Sequence, residues 1–247
     1  MNFFKKILSY PLSIIHYFFF GLTLLIFHPI QWLAFNIGGY KAHKISVDYM
    51  NLCLTATLFF LGSRVKFTNK QNIPENVPLI IVTNHQSTYD IPPIFWFMRK
   101  FHPKFVSKIE LGKGIPSVSY NLRHGGSVLI DRKDARQSLT ALMQFGEYIE
   151  KNNRSAVIFP EGTRSRNGVP KRFSENGIKM MVKKTPSSYV VPISINNSWK
   201  LVQNGAFPLG IGLKLTFEVH EPIKSDSLPF TELFQKTEKA VKDSIIV

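Results

Sequence analysis

Pro78-Leu79-Ile80-Ile81-Val82-Thr83-Asn84-His85-Gln86-Ser87-Thr88-Tyr89-Asp90 is the stretch on which the architecture turns. Its first part, Leu79 to Val82, is a short apolar run rich in β-branched residues, bounded by Pro78 and Asn84, and reads as a buried strand. The chain then becomes abruptly polar, and a His appears with an acid five residues further on. On one ideal helix, five residues turn through about 500°, so the two side chains would point apart. If His85 sits in the turn and Asp90 in the first helical turn, the carboxylate can reach back to imidazole Nδ1 and leave Nε2 free as a base. The plain alternative is a turn capped by Asn, Ser and Thr with an incidental His, and this stretch alone favours that alternative.

Similar apolar runs recur downstream. Residues 127–130, 156–159 and 189–191 read as buried strands. Leu213, Leu215, Phe217 and Val219 alternate with Lys214, Thr216, Glu218 and His220, a strand with one wet face. Helical patterns lie between them at 134–150, with Asp134 near its start, and at 175–184 and 231–245. Strands alternating with helices imply an α/β fold: a mixed, largely buried sheet flanked by helices.

The amino end is different. From Ile7 to Tyr40 there is no charged residue, while Lys5 and Lys6 precede this run and Lys41 and Lys44 follow it. Its densest part, residues 11–28, would span about 27 Å as one helix, marginal against a hydrocarbon core of about 30 Å. Pro29 is expected to interrupt it, with a second apolar piece ending at Gly38-Gly39. A cleaved signal peptide is disfavoured, because no small-residue cleavage site follows. A single spanning helix and a monotopic pair dipping into one leaflet both remain open; the pair keeps both lysine clusters on one wet face. The expected organisation is a membrane-attachment motif over residues 1–44 and an α/β domain over 45–247. Residues 45–61 should form a helix leading into that domain, stopped by Gly62.

Composition narrows the function classes. The 247 residues are 44% apolar, which excludes a disordered chain, and a single cysteine, Cys53, excludes an internal disulfide and a cysteine-rich zinc site. The net charge of +15 attracts polyanions: nucleic acid, anionic lipid or phosphorylated substrates. Residues 99–184 carry 18 Lys/Arg against 7 Asp/Glu. No zinc-finger, helix-turn-helix or RNA-recognition signature accompanies them, and the aromatics cluster in the apolar amino end, so nucleic acid is not an expected partner.

Three further insertions follow predicted strands. Gly125-Gly126 leads to Asp131-Arg132. Phe159-Pro160-Glu161-Gly162-Thr163-Arg164-Ser165 joins an acid, a tight-turn glycine, a hydroxyl and a guanidinium fork suited to phosphate oxygens. Val191-Pro192-Ile193-Ser194-Ile195 is mostly apolar and, alone, reads as core. Solvated surface turns would account for the charged ones individually; their joint placement at strand ends is where open α/β sheets bind ligands.

In this order the four elements resemble the motifs of the glycerolipid acyltransferase family. Asn84-His85-x4-Asp90 is similar to its first motif, Gly126 to Arg132 to the second, Phe159 to Ser165 to the third and Val191 to Ile195 to the fourth. Lys108-Ile109-Glu110-Leu111 is similar to a Lys-x-x-Leu feature between the first two. The similarity runs from about residue 65 to 220, and Leu129 departs from the Phe that many members carry.

The resemblance implies transfer of a fatty acyl group from acyl-CoA or acyl-carrier protein to the free hydroxyl of 1-acylglycerol-3-phosphate, giving phosphatidate in phospholipid biosynthesis. His85 would be the base and Asp90 its orienting partner. Lys108, Arg132 and Arg164 would hold the acceptor phosphate, Glu161 would position the glycerol, Gly162 would give the loop its close approach, and Thr163 would belong to the same substrate-binding set. No metal and no bound cofactor is implied, since the acyl thioester is a substrate. The enzyme would be membrane-associated, with its active site on the cytoplasmic face. Another lysophospholipid, an ornithine-type lipid or glycerol-3-phosphate is an alternative acceptor. Rivals of other classes are a serine hydrolase, against which no Gly-x-Ser-x-Gly elbow is present, and a non-catalytic membrane adaptor.

Overall fold

The computed structural model describes residues 3–246. It is a three-layer α/β structure around one mixed sheet, as the alternation predicts. The strands are β1 (Arg64–Asn69), β2 (Leu79–Thr83), β3 (Pro103–Lys108), β4 (Val128–Ile130), β5 (Ser155–Ile158), β6 (Tyr189–Asn196), β7 (Lys214–Val219) and β8 (Ile223–Lys224). Their order is β1-β7-β6-β2-β5-β3-β4, with β8 beside β6. Strands β2 to β6 run parallel, whereas β7 and β8 pair antiparallel with β6, and β1 follows β7.

Period-2 alternation sends successive β2 residues into two cores. Leu79 and Ile81 face one cluster with Leu58, Leu61, Ile94 and Phe217. Ile80 and Val82 face another with Phe145, Ile149, Met181 and Leu233. Helices α1 (Phe3–Ala56) and α2 (Ile91–Phe97) cover the first face; α4 (Ala135–Asn152), α5 (Glu175–Lys184) and α6 (Phe230–Lys242) cover the second. Helix α3 (Val118–His124) lies against α1 and β4. Because both faces are covered, β2 is buried at every position, which is why its sequence reads as a continuous apolar run.

Pro192 sits inside the buried strand β6, where a missing N–H would ordinarily break a ladder. Its carbonyl accepts from His220 N at 2.9 Å, and on that edge β7 pairs with 193–196 and β8 with 189–190. The proline therefore falls in the gap between two partner strands, where no donor is required. Asp134 caps α4 by accepting from Gln137 N at 2.9 Å.

The amino end forms a helical hairpin, with a different hinge from the one expected. Pro11 and Pro29 both lie within α1; the break is at Gly39, whose φ of 62° and ψ of −157° are non-helical. The arm after Gly39 folds back along the first, as the His16–Thr57, Gln31–Met50 and Phe35–His43 contacts show. The boundary expected at residue 44 thus falls inside this second arm, which continues through a 3-10 turn, Thr57–Leu61, to a left-handed stop at Gly62.

The first arm is inverted relative to a soluble amphipathic helix. Ser9, Ser13, His16 and Gln31 are buried against the rest of the protein, while Ile14, Phe18 and Leu25 are about 60% exposed. Ser13 Oγ accepts from Leu209 N at 2.9 Å, and Ser117 Oγ donates to Leu24 O at 2.6 Å. By length and composition, Phe3–Leu61 is apolar enough to cross a membrane.

Candidate active site

Strand β2 ends at Thr83, and Asn84 extends its pairing by side chain: Nδ2 donates to Ile195 O at 2.8 Å and Oδ1 accepts from Ile195 N at 2.7 Å. This holds the chain straight up to His85. Ser87 then caps a 3-10 turn, Thr88–Asp90, that leads into α2. The turn swings the Asp90 carboxylate back over the preceding backbone. His85 Nδ1–H donates to Asp90 Oδ2 at 2.8 Å, so the neutral ring carries its lone pair on Nε2. Among the described residues nothing hydrogen-bonds Nε2. The His85 side chain is 16% exposed and that of Asp90 is fully buried.

A buried carboxylate is costly unless its lone pairs are filled. Asp90 Oδ2 also accepts from Gln86 N at 2.7 Å and Ser87 N at 2.9 Å. Its other oxygen accepts from Ser198 Oγ and, at 3.4 Å, from Ser87 Oγ. Ser198 in turn is gripped by Gln86 Oε1, through Ser198 N at 3.1 Å. The ring of His85 stacks on Phe159, with centroids 4.0 Å apart.

The loop after β5 clamps the His85 backbone from both sides. Glu161 Oε1 accepts from His85 N at 2.9 Å, and Ser165 N donates to His85 O at 2.7 Å. Glu161 Oε2 takes Lys171 N at 2.9 Å. Burial raises the Glu161 carboxyl above the usual carboxylate range, and these two backbone N–H bonds oppose the rise. With both oxygens on backbone amides, Glu161 acts in this structure as a tie between two loops. Gly162 has φ of 68°, and a β-carbon there would meet nothing within 4 Å, so the position requires backbone conformation rather than space. Its carbonyl accepts from Arg132 Nη1, which draws the second motif against the third.

The remaining residues singled out by sequence take different places. Lys108 ends β3, and Thr163 and Arg164 lie on the 159–165 loop; all three are exposed and, among the described residues, make no side-chain hydrogen bond or ion pair. Val191 to Ile195 is buried β6 and contributes to the site through the Ile195 backbone. Sequence reasoning missed Ser198 and Gln86. Their only signal is a polar Asn-Asn-Ser run after a buried strand and a Gln beside His85. Among the described residues, no group of three His, Cys, Asp or Glu is placed to hold a metal ion.

An imidazole held in one tautomer by a buried carboxylate, at the carboxyl ends of parallel strands, is equipment for activating a hydroxyl nucleophile toward group transfer. A family model described as Acyltransferase matches residues 64–196, more than half of the chain, which therefore belongs to that acyltransferase family. It is 28% identical over 205 residues to the 1-acyl-sn-glycerol-3-phosphate acyltransferase of Borreliella burgdorferi, covering 82% of this chain and 78% of that one. It is 27% identical over 212 residues to the enzyme of the same name from Saccharomyces cerevisiae, covering 82% and 67%. The fold matches the crystal structure of the 1-acyl-sn-glycerophosphate acyltransferase of Thermotoga maritima, with a TM-score of 0.79, 24% identity, and coverage of 98% and 95%.

Proposed function

We propose that this acyltransferase moves a fatty acyl group from an acyl thioester, carried by coenzyme A or acyl-carrier protein, to the free hydroxyl of 1-acylglycerol-3-phosphate. The observation that carries the reading is the His85–Asp90 pair at 2.8 Å, with every Asp90 lone pair directed at a donor and Nε2 left free. His85 Nε2 takes the hydroxyl proton as the oxygen attacks the thioester carbonyl. Asp90 stabilises the imidazolium so formed. The tetrahedral intermediate expels the thiol sulfur, which leaves with the proton returned by the imidazolium. The ester carbon–oxygen bond forms and the carbon–sulfur bond breaks, with no change of oxidation state and no need for a metal or bound cofactor. A positioned base of this kind contributes about 10²–10⁴-fold.

Arg164 and Lys108 are exposed cations with no partner among the described residues and serve the acceptor phosphate, joined by the remaining donors of Arg132. Residues 1–44 attach the enzyme to a membrane through the outward apolar stripe of α1, so that a lipid acceptor reaches a basic site at the bilayer surface on the cytoplasmic face. Support for this seat comes from the exposed Phe18, Leu22 and Leu25 on the same helix whose polar residues face inward.

The test is purified full-length protein incubated with lysophosphatidate and labelled acyl-CoA, with acyl-carrier-protein thioester and other acceptors in parallel. Label in phosphatidate is the expected result. Free fatty acid alone, or no turnover with either donor, refutes the proposal.

A further inference from the structure

The opposite end of the sheet carries a second cationic site. His85 and Glu161 follow the carboxyl ends of β2 and β5, whereas His102, Lys104 and Arg154 stand at the amino ends of β3 and β5. These latter residues meet the tip of the α1 hairpin at Tyr40, next to the Gly39 hinge.

A cavity of about 380 Å³ opens there, lined among others by Tyr40, Lys41, Glu75, Lys100, His102 and Arg154. The Arg154 guanidinium lies 3.7 Å from the centroid of the Tyr40 ring and 4.9 Å from that of Tyr148. Those two rings fix its plane, yet among the described residues it has no ion pair, and its side chain makes no hydrogen bond. Such a guanidinium is pre-organised, with its in-plane donors unspent. Tyr40 OH and His102 Nδ1 share a hydrogen bond of 2.8 Å, which fixes the Tyr40 ring at the hairpin tip. Behind them Lys104, only 5% exposed, places Nζ 5.0 Å from the Tyr40 centroid with no acceptor.

The acids nearby do not balance these charges. Glu75 is held by Lys100, and Asp48 by Lys44 at 2.5 Å. Lys104 is repelled by Arg154 and Lys44, with Asp48 opposing in part. Among the described residues the one carboxylate lining this cavity, Glu75, is already held by Lys100, so Arg154 and Lys41 face it with charge to spare for an anion. The apolar stripe of α1 ends beside it, where Ile37 is 83% exposed. A group reaching the cavity from that side comes from a bilayer surface.

We propose that the hairpin-tip cavity binds a phosphate group, presented by an anionic phospholipid, at a site separate from the catalytic one. Arg154 supplies the planar fork and Lys41 a cation at the rim. Inorganic phosphate shares this chemistry and is the competing source.

The experiment measures partitioning of the full chain onto phosphatidylcholine vesicles with and without anionic phospholipid, for wild type, Arg154→Gln, Lys41→Gln and the exposed control Lys214→Gln. A surface cation engaged with anionic lipid is worth about fivefold in partitioning. Arg154→Gln and Lys41→Gln should each lose about that much of the preference for anionic vesicles, with zwitterionic binding unchanged and Lys214→Gln altered less than about twofold. A second arm follows thermal unfolding with millimolar inorganic phosphate. Loss of vesicle preference without a phosphate effect identifies the lipid headgroup. A phosphate-induced rise in Tm, present in wild type and absent in Arg154→Gln, identifies free phosphate as an occupant of the same site. Retained turnover of micellar substrate shows that the variants are folded. Equal losses in Lys214→Gln, or no change in either arm, overturn the proposal.

Discussion

Replacing Asp90 by Asn removes one charge while keeping the shape of the turn. The amide oxygen can take over the three donors at Oδ2: His85 Nδ1, Gln86 N and Ser87 N. The new NH₂ then faces the hydroxyls of Ser198 and Ser87, and Ser198 can rotate its proton toward Gln86 Oε1, 3.3 Å away. The loss of charge-assisted hydrogen bonds should cost about 1–2 kcal/mol of stability, a drop in Tm of a few degrees. The effect on catalysis is larger. Opposite charges about 4 Å apart at an effective dielectric near 20 attract by about 4 kcal/mol. That attraction exists only while His85 holds the nucleophile's proton, so its loss raises the barrier and slows kcat by about 10³-fold. Acceptor KM should hardly move, because the phosphate contacts are elsewhere. The assay is initial-rate transfer of labelled acyl groups to lysophosphatidate in mixed micelles, beside circular dichroism of the variant. A folded Asp90→Asn protein with kcat within about tenfold of wild type would sink the base–orienter reasoning.

Other perturbations separate the remaining roles. His85→Ala should abolish measurable transfer with an intact fold; wild-type rates would remove the base from the scheme. Arg164→Ala, at an exposed side chain without partners, should leave Tm unchanged and raise the acceptor KM, and an unchanged KM with normal kcat contradicts a phosphate contact. Glu161→Gln sets an amide donor against a backbone N–H of His85 or Lys171 and should lower stability by about 1–3 kcal/mol, read as a fall in Tm; a KM effect with unchanged Tm points to substrate contact instead. Lys104 is pushed down to about 7, first by burial and then by Arg154. The unfolded chain therefore holds its proton between pH 7 and the usual lysine value while the folded chain has released it, so stability from this group rises with pH over that window. Lys104→Met should flatten that rise in Tm and raise Tm at pH 7; an unaltered pH profile refutes the burial argument.

Much of the sheet was legible because its chemistry is local. The continuous apolar runs of β2 and β5 and the alternation of β7 announce strands buried on two faces or one. Other strands escaped notice. β1 alternates Arg64 and Lys66 with Val65 and Phe67, the same signal as β7 but over only four residues, whereas β3 begins with Pro103-Lys104 and is made a strand by its pairing with β5 rather than by pattern. The hinge was misplaced for a physical reason: Pro29 is accommodated inside α1, while Gly39 adopts a conformation that only its missing side chain permits. At the site, the five-residue spacing of His85 and Asp90 foretold the hydrogen bond once a turn was assumed. The partners that complete Asp90 come from Ser198, 108 residues along the chain, and a contact at that separation leaves no local pattern. Glu161 illustrates the limit of motif reading, for an acid beside a glycine gives no hint that both its oxygens will be occupied by backbone amides.

The inverted polarity of the first helix also constrains how this chain can be engineered. Its hydroxyls and imidazole are stitched into the catalytic body: Ser13 to the Leu209 amide, and His16 to both Thr57 and the Tyr89 hydroxyl, one residue before Asp90. A generic apolar helix grafted in its place would leave those sockets empty. The first helix and the site are therefore packed as one unit, and removing the helix strips Ser13 and His16 from their partners in the domain.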